Sequence, residues 1–339
     1  MSRRGRLARY LAGRALLAPV MLWLIATLVF LLLRVAPGDP VDALLGTRAS
    51  AAARDALRQQ LGLDRSLPVQ YVEFLQGLVH ADLGQSLVSA RPVTQIVREV
   101  LPASLELGLA ALLVALVLGL AAGFSGITRP EGRLDLAGRL YGIATYALPS
   151  FWAAMVLQLI FAVGLGWFPV GGRFPPTRVP PSGSGFYLLD GLLAGSWSTV
   201  TAALHHLTLP AVTLGLLLSG IFDNALRLNL RRALRSDYVE AARSRGLGEA
   251  RVVLRHALPN ALLPVLTIAG ITVASLIGGA LLIENIFSWP GIALKLQEAI
   301  NQRDYPLVQG IVVVVAALVV LVTLVVDVLV ALLDPRLSF

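Results

Sequence analysis

Apolar runs of about twenty residues alternate along the chain with polar stretches rich in arginine or in proline and glycine. Six runs stand out, over residues 16–33, 105–124, 141–165, 207–226, 262–283 and 307–329. About twenty helical residues cross a bilayer core of about 30 Å. The pattern therefore predicts an all-α membrane protein with about six transmembrane helices. Gly108, Gly119 and Gly123 in the second run suit close helix packing. The third run is interrupted by Pro149-Ser150, which predicts a kink beside a cavity or pore, where neighbours can satisfy the freed carbonyl. In the fifth, Thr267, Thr272, Ser275 and several glycines form a small, polar stripe suited to helix contact or a pore wall.

The intervening segments are less regular. The first run ends at Arg34-Val35-Ala36-Pro37-Gly38-Asp39-Pro40, where two prolines and a glycine cannot continue a helix. Residues 41–100 are the one long hydrophilic tract, with helical patches at 51–61 and 69–79. Too polar for the membrane, this tract reads as an external helical and irregular insertion after helix 1. Residues 168–200, rich in Pro, Gly and Ser, read as an external loop with a short interfacial helix at 187–193, and Trp167 as an interfacial anchor beside it.

Residues 231–260 form an arginine-rich island between two apolar runs. From Tyr238 to Arg245 there is no Gly or Pro, and Ala and Arg favour helix. Gly246 suits the positive-φ position that closes a helix. A second helical run, 249–258, precedes Pro259, which biases the chain to break there. The island reads as helix, glycine turn, helix, with Ala241 and Ala242 on a face that another protein can approach closely. A solvated basic loop would explain the arginines, but not the helical length or the small residues beside one glycine.

Here the sequence resembles a known family. Glu240-Ala241-Ala242, Gly246, then His256 and Leu258-Pro259 have the spacing of the EAA loop of ABC importer permeases, with His256 where that motif usually has Ile. The fuller text of the island is similar to the B-type permease of the dipeptide/oligopeptide/nickel branch. Pro37-Gly38-Asp39-Pro40, Asp82-Leu83-Gly84-Gln85-Ser86, Phe168-Pro169-Val170-Gly171-Gly172-Arg173, Phe287-Ser288-Trp289-Pro290-Gly291, Arg303-Asp304-Tyr305-Pro306 and Leu333-Asp334-Pro335-Arg336-Leu337 extend the resemblance. Ala293, where glycine is expected, departs from it. The resemblance implies the type I ABC importer permease fold. It also implies that the loop is a coupling helix docking into a cytoplasmic ATPase, with Glu240, Ala241, Ala242, Arg243, Arg245, Gly246, Leu247, Leu258 and Pro259 at the contact. Implied partners are a second, homologous permease, two cytoplasmic ATP-binding subunits and an external substrate-binding protein. Short peptides are the implied cargo, with nickel or glutathione as the alternative. The chain then divides into residues 1–34 (cytoplasmic N-terminus and first helix), 35–101 (external insertion) and 102–339 (permease core with five helices and the coupling loop).

Composition agrees. Of 339 residues 56% are hydrophobic and 14% charged, with mean hydropathy +0.76, which is outside the range of soluble domains. The net charge of +8 comes almost wholly from arginine. It concentrates in the N-terminal tail, in 128–139 and in 227–255, which by the positive-inside rule puts both termini and the coupling loop in the cytoplasm of a bacterial inner-membrane protein. No basic stretch interleaves with aromatics as nucleic-acid binding would require, so the partners besides protein are membrane lipids. The basic N-terminus leads into an apolar run too long for a signal peptide and reads as a retained anchor.

Candidate chemistry is sparse. Cysteine is absent, and Lys295, the one lysine, does not follow a glycine-rich turn. A phosphate-cradling P-loop is therefore missing; the chain reads as a non-enzyme without cofactors, with ATP and Mg on partner ATPases. No metal-ligand motif occurs, and His205-His206 reads as interfacial rather than metal-binding. Gly183-Ser184-Gly185 has the wrong spacing for a nucleophile elbow. Asp223 and Arg227 stand at i, i+4 and can pair within the membrane; Glu106 and Asp327 read as interfacial. A secondary transporter would show internal repeats and midplane ion-binding groups, and an intramembrane enzyme paired catalytic groups. Neither pattern is visible. Within the island, charge reversal at Glu240 is expected to matter more than at Glu249, beyond the glycine.

Overall fold

A computed structural model describes residues 3–35, 40–45, 49–125 and 132–333. In chain order the helices are α1 (Arg3–Val35), α2 (Pro40–Leu45), α3 (Ala51–Gln60), α4 (Leu67–Val79), α5 (Val93–Phe124), α6 (Arg133–Ala147), α7 (Ser150–Leu157), α8 (Tyr187–Leu193), α9 (Trp197–Leu234), α10 (Asp237–Ser244), α11 (Glu249–Arg251), α12 (Leu258–Gly279), α13 (Leu281–Ile286), α14 (Ile292–Asn301) and α15 (Tyr305–Leu333). Two π-helical segments, Gln158–Gly164 and Val252–Ala257, continue α7 and precede α12. The only β pairing among the described residues is one bridge between Gln85 and Pro92. Among the described residues, five helical stretches are long and apolar enough to cross a membrane, and the pair α6–α7 makes a sixth if counted as one span. The expected all-α membrane architecture is present. The exit residues 36–39, the loop at 126–131 and the C-terminal residues 334–339 lie outside the described residues.

Helices α5 and α9 run side by side in the same direction as the central pair. A Cβ on Gly119 would strike Ser219 O and the Phe222 side chain, and one on Gly123 would lie 2.8 Å from Asp223 O. Two of the three glycines expected at close contacts are thus where backbones touch. Gly108 instead makes an ordinary contact with Leu276. Leu107, Ala111 and Leu214 pack with Phe287 and Trp289 at one end of this pair, and Phe222, Leu226 and Leu230 pack with Val239 and Val252 at the other. α15 lies along α1, with Arg14 3.2 Å from Asp327, and α12 packs on both α15 and α9.

Two features differ from the sequence-based expectation. α6 and α7 meet at 103°, a sharp elbow rather than a kink. Leu148 is extended there, with ψ 125°, because the residue before a proline is pushed out of the helical region, and Pro149 itself has ψ 129°. Pro259 does not break the chain. It sits in the first turn of α12, where a missing N–H costs little, and the wide π turn of Val252–Ala257 carries the helix into it. α4 packs on α1: Phe74 stacks on Phe30 at 5.7 Å and Tyr71 Oη lies 2.7 Å from Thr27 Oγ1. The short helix at 187–193 forms as expected.

At the end opposite the arginine-rich island, buried carboxylates hold the loops. Glu284 Oε1 accepts from Ser104 Oγ at 2.5 Å, and Glu284 Oε2 accepts from the Leu294 amide at 2.8 Å. Asp304 accepts from Ser86 Oγ at 2.5 Å and from the Leu87 amide at 3.0 Å, which joins the segments 82–86 and 303–306. Glu106, expected at an interface, is instead buried and paired with Arg173 at 2.6 Å. Arg173 in turn lies 3.9 Å over the ring of Tyr187.

Candidate coupling surface

The island 231–260 folds as a short helix clipped under the end of the bundle. α9 closes at Leu234, and Ser236 in extended conformation starts α10, whose first turn carries Asp237 and Glu240 where the helix dipole favours negative charge. Val239 and Ala242, at i and i+3, form the buried face of α10 and pack into the cluster of Leu230, Ala233, Val252 and Ala257. Gly246 follows with φ +76°, the left-handed conformation that glycine adopts most cheaply, and a Cβ there would meet nothing within 4 Å.

An arginine closes the turn. Arg243 Nη2 donates to Glu249 Oε1 at 2.6 Å, its Nε donates to Glu249 Oε2 at 3.1 Å, and its Nη1 donates to Leu234 O at 3.2 Å. One guanidinium thereby ties α10 to the start of α11 and to the end of α9. The residues singled out in the sequence consequently divide. Glu240, Ala241, Arg245 and Gly246 are exposed, as is Pro259; Leu247 and Leu258 are half-buried against the cluster. Ala242 and Arg243 face their own chain. The expectation that both alanines offer themselves to another protein is corrected at Ala242, because a helix this short must bury one face to stay ordered.

Above this surface, inside the bundle, Arg227 is buried between two carboxylates. Its Nη1 donates to Asp135 Oδ1 at 2.6 Å, and its Nη2 donates to Asp223 Oδ1 at 2.9 Å and to Ala122 O at 2.9 Å. Arg231 and Arg139 reach Asp135 from the exposed side at 2.9 and 3.0 Å. Asp223 and Arg227 do come together, but within a network of five charged side chains on α6 and α9 that reaches α5 through Ala122 O. Asp135 was missed in the sequence because 128–139 stands out there for its arginines; Asp135 and Arg139 at i, i+4 were the available signal.

At the far end, the exposed His205 has Nε2 2.8 Å from Trp167 O, and the buried His206 has Nδ1 3.1 Å from Gly172 O. Ala293 is buried just after Gly291, whose hydrogen faces the Glu284 carboxylate with no room for a methyl.

Residues 115–339 match the family of binding-protein-dependent transport system inner membrane components, and residues 7–108 match the N-terminal part of such membrane components. The chain belongs to this family. It is similar to the di/tripeptide transport system permease protein DppB of Pseudomonas aeruginosa, at 41% identity over 92% of this chain and 93% of that protein. The probable D,D-dipeptide transport system permease protein DdpB of Escherichia coli is 40% identical, covering 93% of each. The oligopeptide transport system permease protein AppB of Bacillus subtilis is 34% identical over 98% of this chain and 100% of that protein. A crystallised amino acid ABC transporter aligns with 72% of this chain and 95% of its own at 15% identity and a TM-score of 0.45. This membership makes the chain a membrane-embedded transport component and gives the clipped helix its context.

Proposed function

We propose that this chain is the permease subunit of an ATP-driven importer of short peptides, forming half of the path with a second, homologous permease. Two cytoplasmic ATPases bind the ATP and Mg, and an external binding protein delivers cargo. Relatives named for dipeptide, D,D-dipeptide and oligopeptide transport, each aligned over nearly the full chain, favour peptide over nickel or glutathione. Both termini and the island then face the cytoplasm, a placement that the arginine distribution supports.

The observation that carries the coupling role is the exposed strip Glu240, Ala241 and Arg245 on a helix held rigid from behind by Val239, Ala242 and Arg243. A rigid, exposed knob transmits a push, whereas a flexible tether absorbs it. Ala241 leaves no bulk between Glu240 and Arg245, so an approaching groove can reach the helix backbone. The test is uptake of a labelled dipeptide into vesicles containing the purified complex with ATP inside and the binding protein outside. ATP-dependent accumulation, absent when the ATPases are omitted, is the expected result. Accumulation of nickel or glutathione but of no peptide would overturn the cargo; accumulation driven by an ion gradient without ATP would overturn the importer class.

A further inference from the structure

Helices α1, α4, α5 and α15 enclose a groove of about 840 Å³. Trp23 and Ala26 of α1, Leu78 of α4, Val97 of α5 and Ala317 of α15 are among its walls, and Arg98 is its one charged lining residue. Three of the four helices are candidate membrane spans, and the groove lies where the segment between the first two spans meets them. Arg98 is exposed and makes no hydrogen bond or ion pair among the described residues. The neighbouring Glu99 is taken by Arg91. Thr94, four residues before Arg98 and hence on the same helix face, also lines the groove.

We propose that this groove is a binding site for an anionic phospholipid, with an acyl chain along the apolar walls and the phosphate on Arg98, assisted by Thr94. The volume falls within the range of about 300–1,000 Å³ typical of ligand sites. Guanidinium matches phosphate oxygens in a bidentate pair, and a free arginine beside an apolar slot is the charge pattern that a lipid completes. Filling by an apolar protein helix would desolvate Arg98 without giving it a partner, which is costly. A lipid seated here wedges α4 against α1 and α5, so the site stabilises the packing of the segment between the first two spans.

Trp23 in the groove wall supplies the probe. The complex with its partner subunits is reconstituted in phosphatidylcholine vesicles containing increasing phosphatidylglycerol with brominated acyl chains, and tryptophan quenching is compared with that of Trp23→Phe. The expected Trp23 component saturates at low brominated lipid and is unaffected by excess inorganic phosphate, which cannot fill the apolar walls. Arg98→Gln, a substitution at an exposed position, shifts half-saturation about fivefold to higher lipid, as one basic residue at a membrane surface should. Ala317→Phe, filling the groove, removes the saturable component. Trp23 quenching that rises only linearly with bulk lipid in the unmodified complex would overturn the site, as would a saturable component indifferent to Arg98→Gln. Efficient cross-linking of a cysteine at Ala317 to the second permease would assign the groove to protein and equally overturn the proposal.

Discussion

Gly246 holds φ +76° with open space where a Cβ would stand. Gly246→Ala therefore costs about 1 kcal/mol in backbone strain and no clash within the chain. Gly246→Asp shares that strain and adds a charged side chain that only a docked partner can feel. Both variants should insert in normal amount, with uptake per assembled complex reduced mildly by alanine and severely by aspartate; equal loss for the two would mean that the turn, not the contact, is at stake. The Arg243–Glu249 pair revises the expectation for Glu249. Both side chains are about half exposed, so the pair adds about 0–1 kcal/mol to stability, yet it fixes the angle between α10 and α11. Glu249→Lys should leave the thermal midpoint nearly unchanged but lower uptake about as much as Glu240→Lys does. The reversed pair Arg243→Glu with Glu249→Arg should restore most of that uptake, since charge complementarity returns; the Glu240→Lys loss should not respond to it.

Among the elements, the junction of α5, α6 and α9 depends on one buried cation. Removing it in Arg227→Ala leaves Asp135 and Asp223 buried with only exposed arginines nearby, at a cost of about 3–5 kcal/mol. Arg231→Ala, an exposed partner, should cost about 1 kcal/mol or less. The protein remaining monodisperse in detergent after stepwise heating measures both, and a similar loss for the two would contradict the division. What was legible in the sequence was local. Helix propensity marks α10, a glycine marks its end, and the i, i+4 spacing of Asp223 and Arg227 marks their pair. The elbow was visible as Pro149, but a proline fixes only where a helix stops, and the angle of 103° depends on what the two arms pack against. Asp135 lies 92 residues before Arg227, and nothing in its neighbourhood states that distant contact. The inward turn of Ala242 needed the same kind of information, although Val239 three residues earlier hinted at which face is apolar.

For the whole molecule, the proposed cytoplasmic placement of the island can be tested directly, because the sequence contains no cysteine. Single cysteines at Ser66, Ser182 and Ser244 occupy exposed positions. A membrane-impermeant maleimide should label the first two in intact cells and the third only after permeabilisation; the reverse pattern would invert the topology and remove the island from the ATPases. The length of α9 has a mechanical consequence. Its 38 residues make a rod of about 57 Å, nearly twice the thickness of the bilayer core. Gly215, Gly119 and Gly123 bring its backbone against that of α5 from residue 215 to residue 226, which makes the two helices one stiff strut. On the proposed coupling role, a displacement at Leu234, where the clipped helix hangs, would be carried along that strut rather than absorbed within it.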